Sequence, residues 1–235
     1  MSSHAPRNAL TNRRTVLTAG ATVAALLPVF GSAFAAHQHS HVAAATKKTA
    51  QTAVRTPKTS QTAAALRDLW LGHIFWVRAV SAGMIDKNDA ATKVAEQKAV
   101  ANAQLIAATI EPFYGAAAKD SFFKLLAGHY GAVKAYLVAT VAGDATAQGT
   151  ATQSLTANAE EIATFLSKAN PYLPKDAVLG LLLAHGGHHI QQIQQLKDHK
   201  YEAEAQTWEE MKTHVYQIAD ATADALAKQF AKKFA

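Results

Sequence analysis

From Thr59 onward the apolar residues recur at intervals of three and four, and no window alternates apolar and polar for six residues. A 3.6-residue period without a 2-residue period predicts an all-α domain. The pattern divides into a helix from about Ser60 to Met84, one from Asp89 to Ile110 before Pro112, and one from Ala118 to Ala142 before Gly143. A weak Gly/Thr/Gln stretch precedes a short helix, Ala157 to Lys168, stopped by Asn170-Pro171; further helices follow over Lys175 to His199 and from Glu202 to the C-terminus. Long helices with short joints predict an up-and-down antiparallel bundle of four to five long helices plus one short one.

The seams of these helices carry the candidate chemistry. Leu66, Leu69, His73, Trp76 and Val80 share one face of the first helix, and Phe122, Leu126, His129, Val133 and Tyr136 one face of the third. Val178, Leu182, His185, His189, Gln192 and Leu196 form the next seam, and Trp208, Met211, His214 and Ile218 the last, with Val215 competing for the inward place. Four long helices thus each bring a histidine to an apolar face near mid-length, and in an antiparallel bundle mid-height points meet at one level. A buried imidazole is costly unless its nitrogens find partners. His73, His129, His185, His189 and His214 are therefore candidate metal ligands, the His185/His189 pair being able to grip one ion from a single helix. Asn102, Gln192 and Tyr136 are candidate hydrogen-bond partners around them. Two alternatives use the same histidines: a hydrogen-bonded polar layer, with Tyr216 also a partner, in a structural or interaction bundle, or a haem site.

Composition narrows the metal chemistry. Cysteine is absent, so thiolate sites, disulfides, iron–sulfur clusters and cysteine nucleophiles are excluded, and 11 histidines remain. Zinc, copper, nickel and iron all accept imidazole. There is no Glu-x-x-His for a di-iron carboxylate site, no Gly-x-Ser-x-Gly elbow and no phosphate-binding glycine loop. Binding is preferred over catalysis, although three ligands and an open position would support a metal-dependent reaction.

The formal charge of +6 changes the picture only at the N-terminus. Residues 1–59 contain Arg7, Arg13, Arg14, Lys47, Lys48, Arg55 and Lys58 and no acid; beyond them acids and bases nearly balance and interleave. That distribution argues against nucleic acid as a partner. Arg13-Arg14-Thr15-Val16-Leu17, the mild apolar run to Phe30 and Ala33-Phe34-Ala35 predict a twin-arginine signal peptide over 1–35, hence a periplasmic or secreted protein. Residues 36–58 read as a disordered linker, in which His37, His39 and His41 form a possible second metal site. No later run reaches the ~18 apolar residues of a membrane span, so a stable span is not expected; a homodimer through apolar helix faces is possible.

Several motifs resemble an uncharacterised bacterial family of exported helical-bundle proteins: Leu69-Trp70-x-x-His73-x-x-Trp76-x-Arg78, Pro112-Phe113-Tyr114-Gly115, Asn158-Ala159-Glu160-Glu161-Ile162-Ala163-x-Phe165-Leu166-x-x-Ala169-Asn170-Pro171, and Lys228-Gln229-Phe230. The resemblance implies a bundle across 59–235 and histidines at 73, 129 and 185, but no activity. The family usually has acids just before the first histidine, where this chain has Leu71-Gly72. His185-x-x-His188-His189-x-x-Gln192-Ile193 is locally similar to the histidine motif of DinB-like metal-binding bundles, which implies a divalent ion.

Overall fold

A computed structural model describes residues 55–235. Among them the structure is all-α: α1 (Pro57–Ile85), α2 (Asp89–Ala108), the single turn α3 (Glu111–Tyr114), α4 (Ala116–Ala142), α5 (Ala145–Ala169), α6 (Lys175–Lys197), α7 (Tyr201–Gln229) and the single turn α8 (Ala231–Phe234). Helix α1 starts before the periodicity suggests because Pro57 pre-sets the first turn and the Thr56 hydroxyl accepts the Thr59 N–H. The helix expected to be short, Ala157 to Lys168, is the second half of the 25-residue α5, so the bundle has six long helices. Its first half has few large apolar residues, which hides its period. Asp144 caps its start through Ala147 N–H, and Thr150, Thr152, Ser154 and Thr156 turn their hydroxyls back onto carbonyls four residues earlier.

The long helices form three successive hairpins, α1–α2, α4–α5 and α6–α7, that repeat every 56 residues. Lys87, Gly143 and His199, each 56 from the next, take left-handed φ values of 56°, 71° and 57° at the three turns. The following residues close the same bond onto the carbonyl five back: Asn88 to Gly83 at 2.8 Å, Asp144 to Ala139 at 2.9 Å and Lys200 to Gln195 at 2.8 Å. This is the Schellman closure, made three times in register. Interior positions repeat as well: Ile106, Ile162 and Ile218, then Ala107, Ala163 and Ala219.

Packing follows the repeat. The first helices of the hairpins, α1, α4 and α6, contact one another at the centre. Helix α2 lies against α1 and α4, α5 against α4 and α6, and α7 against α6 and α1. The up-and-down path makes the three central helices parallel, so equivalent residues stand at one level around an approximate threefold axis. The α7–α1 seam joins the two ends of the described chain and carries paired arginine forks: Arg55 to Asp224, Arg67 to Asp220, and Arg78 to Glu204. Helix α4 is the one described helix long and apolar enough to cross a membrane, and here it is a central helix of the bundle.

Candidate metal centre

His73, His129 and His185 are equivalent residues of the three hairpins, and they meet on the axis. Each is buried, with 6%, 4% and 1% of its surface exposed. Their ring centroids lie 6.2, 5.4 and 5.6 Å apart, an approximately equilateral triangle. His189 joins them from one turn further along α6, its centroid 4.5 Å from that of His185 and 5.6 Å from that of His73. One nitrogen from each of the four lies within 4.8 Å of the others, and the set includes no carboxylate. Nε2 of His185 is 3.4 Å from Nε2 of His73 and 3.2 Å from Nε2 of His189. A tetrahedral ion with metal–nitrogen bonds of 2.0–2.1 Å separates its ligand atoms by about 3.3 Å. These two separations match that value, and the four histidines could together hold one metal ion.

Burial sets the charge of the cluster. It lowers the pKa of His73 to about 3, helped by His129, and that of His129 to about 4, with Asn158 beside it opposing part of the fall. His185 and His189 are pushed well below the ordinary histidine value by burial and by the neighbouring imidazoles. All four rings are neutral near pH 7, so no proton competes for the ligand lone pairs. Trp70 closes one side, edge-on to His73 at 5.7 Å and to His185 at 5.9 Å.

The outer helices fix the ligand-bearing helices by a repeated latch. Asn102 Nδ2 donates to the Leu69 carbonyl at 3.0 Å, Asn158 Nδ2 to that of Leu125 at 3.1 Å, and His214 Nε2 to that of Leu181 at 2.9 Å, each pair 33 residues apart. In every case the carbonyl belongs to the residue one turn before the ligand histidine. Gly72 and Gly128 provide the clearance: a Cβ there would lie 2.9 Å from Asn102 Nδ2 and 3.1 Å from Asn158 Nδ2.

This arrangement places the other expected residues. His214 lies beside the cluster rather than within its four-nitrogen set; it stacks 6.3 Å from His185 while its Nε2 holds the latch to α6. None of the three expected partners bonds a ligand histidine. Asn102 serves the Leu69 carbonyl, Gln192 donates to the buried Glu204 carboxylate, and the Tyr136 hydroxyl accepts from Gln194. Gln192 is drawn away because a carboxylate is a stronger acceptor than an imidazole. Tyr216 lies beneath Arg67 instead of in the histidine layer. His37, His39 and His41 lie outside the described residues. Asn158, 56 residues after Asn102, and His188, whose ring is 5.4 Å from that of His214, stand out in the sequence only as members of motifs. Compared with family models, with curated proteins and with solved structures, the chain matches none.

Proposed function

We propose that this chain is an exported helical-bundle protein that binds one transition-metal ion between His73, His129, His185 and His189, in a storage, carrier or sensing role. The observation that carries this reading is the meeting of four buried, neutral imidazoles from three hairpins at ligand-to-ligand spacing. Tetrahedral spacing and four neutral ligands favour Zn²⁺ or Cu⁺ over ions that prefer a planar field. Four protein ligands make a closed site, which suits holding an ion better than activating a water on it. A polar layer explains the cluster less well: both His129 nitrogens are buried without a partner. Haem is disfavoured by space, because the interior cavities nearest the histidines hold about 20 and 50 Å³. Export rests on the Arg13-Arg14 signal, and the tail histidines His37, His39 and His41 would form a separate, solvent-facing site.

Elemental analysis of protein purified after export tests the reading. The expected result is one zinc or copper per chain in the wild type and a large loss in the His73→Ala, His185→Ala double variant, with folding checked by circular dichroism. Equal metal content in the two proteins would sink the assignment.

A further inference from the structure

Beside the histidine triangle the third hairpin departs from the other two at three neighbouring positions. His188 stands where they have Trp76 and Ala132, Glu210 where they have Lys98 and Ser154, and His214 where they have Asn102 and Asn158. All three lie along the α6–α7 seam: the rings of His188 and His214 are 5.4 Å apart, and Glu210 is one turn before His214. Both rings are half-buried and Glu210 is exposed, so the group lies at the surface of the bundle.

The latch accounts for a histidine at 214. Gly72 and Gly128 give the asparagine latches their clearance, but the third hairpin has Ala184 at that position. There the longer imidazole reaches the Leu181 carbonyl instead, with Nε2 at 2.9 Å. A carbonyl only accepts, so Nε2 carries the proton and the lone pair is left on Nδ1. An N–H held by a backbone carbonyl is the usual support of a metal-binding histidine, and it presents the other nitrogen to the ion. His188 takes no part in the latch, and its Nδ1 is buried without a partner. Burial, helped by His214, lowers the pKa of His188 to about 4, and burial lowers that of His214, so both rings are neutral near pH 7. The Glu210 carboxylate acts on His188 across the seam and draws cations toward the pair.

The pair also adjoins the buried cluster. The His214 ring stacks 6.3 Å from that of His185, nearly parallel to it at 14°, and His185 is one of the four proposed ligands. From the surface inward, the rings of His188, His214, His185 and His189 therefore follow one another at 5.4, 6.3 and 4.5 Å. We infer that His188 and His214 form a second, solvent-facing metal site, an entry point from which a transition-metal ion passes by ligand exchange to His185 and the closed set behind it. Two imidazoles leave the remaining positions of the ion to water, so it is held less tightly there than between four and is free to move on. The destination of the ion rests on the proposed four-histidine site; the surface pair does not.

Zn²⁺ added to the metal-free full chain tests both parts. Once the buried set is filled, the imidazole resonances of His188 and His214 are expected to shift saturably; in the His73→Ala, His185→Ala variant they shift from the first additions. His188→Ala gives the third hairpin the residue of the second and leaves the latch intact; it is expected to abolish the zinc-dependent shift at His214. Loading of the buried set is followed as zinc that a chelator no longer strips. It is expected to slow at least tenfold in His188→Ala, with the final amount of chelator-resistant zinc unchanged. The Ala184→Gly, His214→Asn variant rebuilds the latch of the second hairpin without an imidazole and is expected to load as slowly. Resonances of His188 and His214 that ignore zinc in both proteins overturn the surface site, and wild-type loading rates in the two variants overturn its role as an entry point. Wild-type protein that retains no chelator-resistant zinc overturns the four-histidine reading, and the imidazole shifts then decide the surface pair alone.

Discussion

The first and third hairpins share a backbone plan and differ in what they bury. Where α1–α2 carries Val77, Val80, Thr92, Ala95 and Asn102, α6–α7 carries His189, Gln192, Glu204, Thr207 and His214. The first set gives the ordinary interior of an Ala- and Val-rich helix pair. The second gives a lane of polar side chains, all but His214 fully buried, running from His189 through Gln192 to Glu204 and its partner Arg78 on α1. The repeat therefore supplies three symmetric histidines, and the third hairpin supplies the fourth together with most of the buried polar lane. A threefold site alone would leave one face of an ion open; His189, standing where two hairpins have Val77 and Val133, closes it.

The largest expected effect comes from acid. Burial lowers the folded pKa of His73 to about 3 and of His129 to about 4, below the ordinary 6.5, so the unfolded chain binds more protons than the folded one in between. The stability of metal-free protein is then complete above about pH 6.5 and is lost as pH falls toward 4, each buried histidine steepening the loss by at most ~1.4 kcal/mol per pH unit. His189→Val gives the third hairpin the residue of the other two and removes one such group. Urea midpoints followed from pH 7 to pH 4 should fall less steeply in this variant; an identical slope would mean that His189 is not buried as a neutral ring.

The second test cuts the polar lane. Glu204 is 3% exposed and is held by both arms of Arg78, at 2.6 and 2.8 Å, and by the Gln192 amide at 2.9 Å. Arg78→Met leaves a buried carboxylate with one neutral donor, which costs about 2–4 kcal/mol, reduced from the full value because Arg78 itself is partly exposed. Thr92 occupies the position of Glu204 in the first hairpin, where its hydroxyl bonds only the Asn88 carbonyl, so Thr92→Ala is expected to cost under ~1 kcal/mol. Comparable losses in chemical denaturation would show that the two hairpins are energetically alike after all.

Much of this was legible in the sequence, for identifiable reasons. The helices and the histidine level follow from a 3.6-residue period marked by Leu, Ile, Val and aromatic residues. The start of α5 was not legible, because Ala151 and Leu155 are its only buried residues before Asn158 and alanine marks no face. The repeat was hidden because burial constrains only side-chain class: position 80 has Val, while 136 and 192 have Tyr and Gln. The equal 56-residue spacing of His73, His129 and His185 was the available signal. The latch role of His214 was beyond sequence reasoning, since its partner is a backbone carbonyl that every residue possesses.

The smallest effect tests the repeat itself at its turns. Lys87, Gly143 and His199 all sit at left-handed φ, and only Gly143 does so without a clash between Cβ and backbone. That strain amounts to roughly 1–2 kcal/mol for a residue with a side chain. Replacing Lys87 by glycine relieves it but also loosens the unfolded chain, which takes back about 0.4–1 kcal/mol. Lys87→Gly is therefore expected to stabilise by up to about 1 kcal/mol, His199→Gly by a similar amount, and Gly143→Ala to destabilise by about as much. Urea midpoints of the three variants measure this directly. Opposite signs at equivalent residues follow only if one backbone turn is imposed on three different sequences; a loss of stability in Lys87→Gly would show that the first turn is held by side-chain contacts of its own.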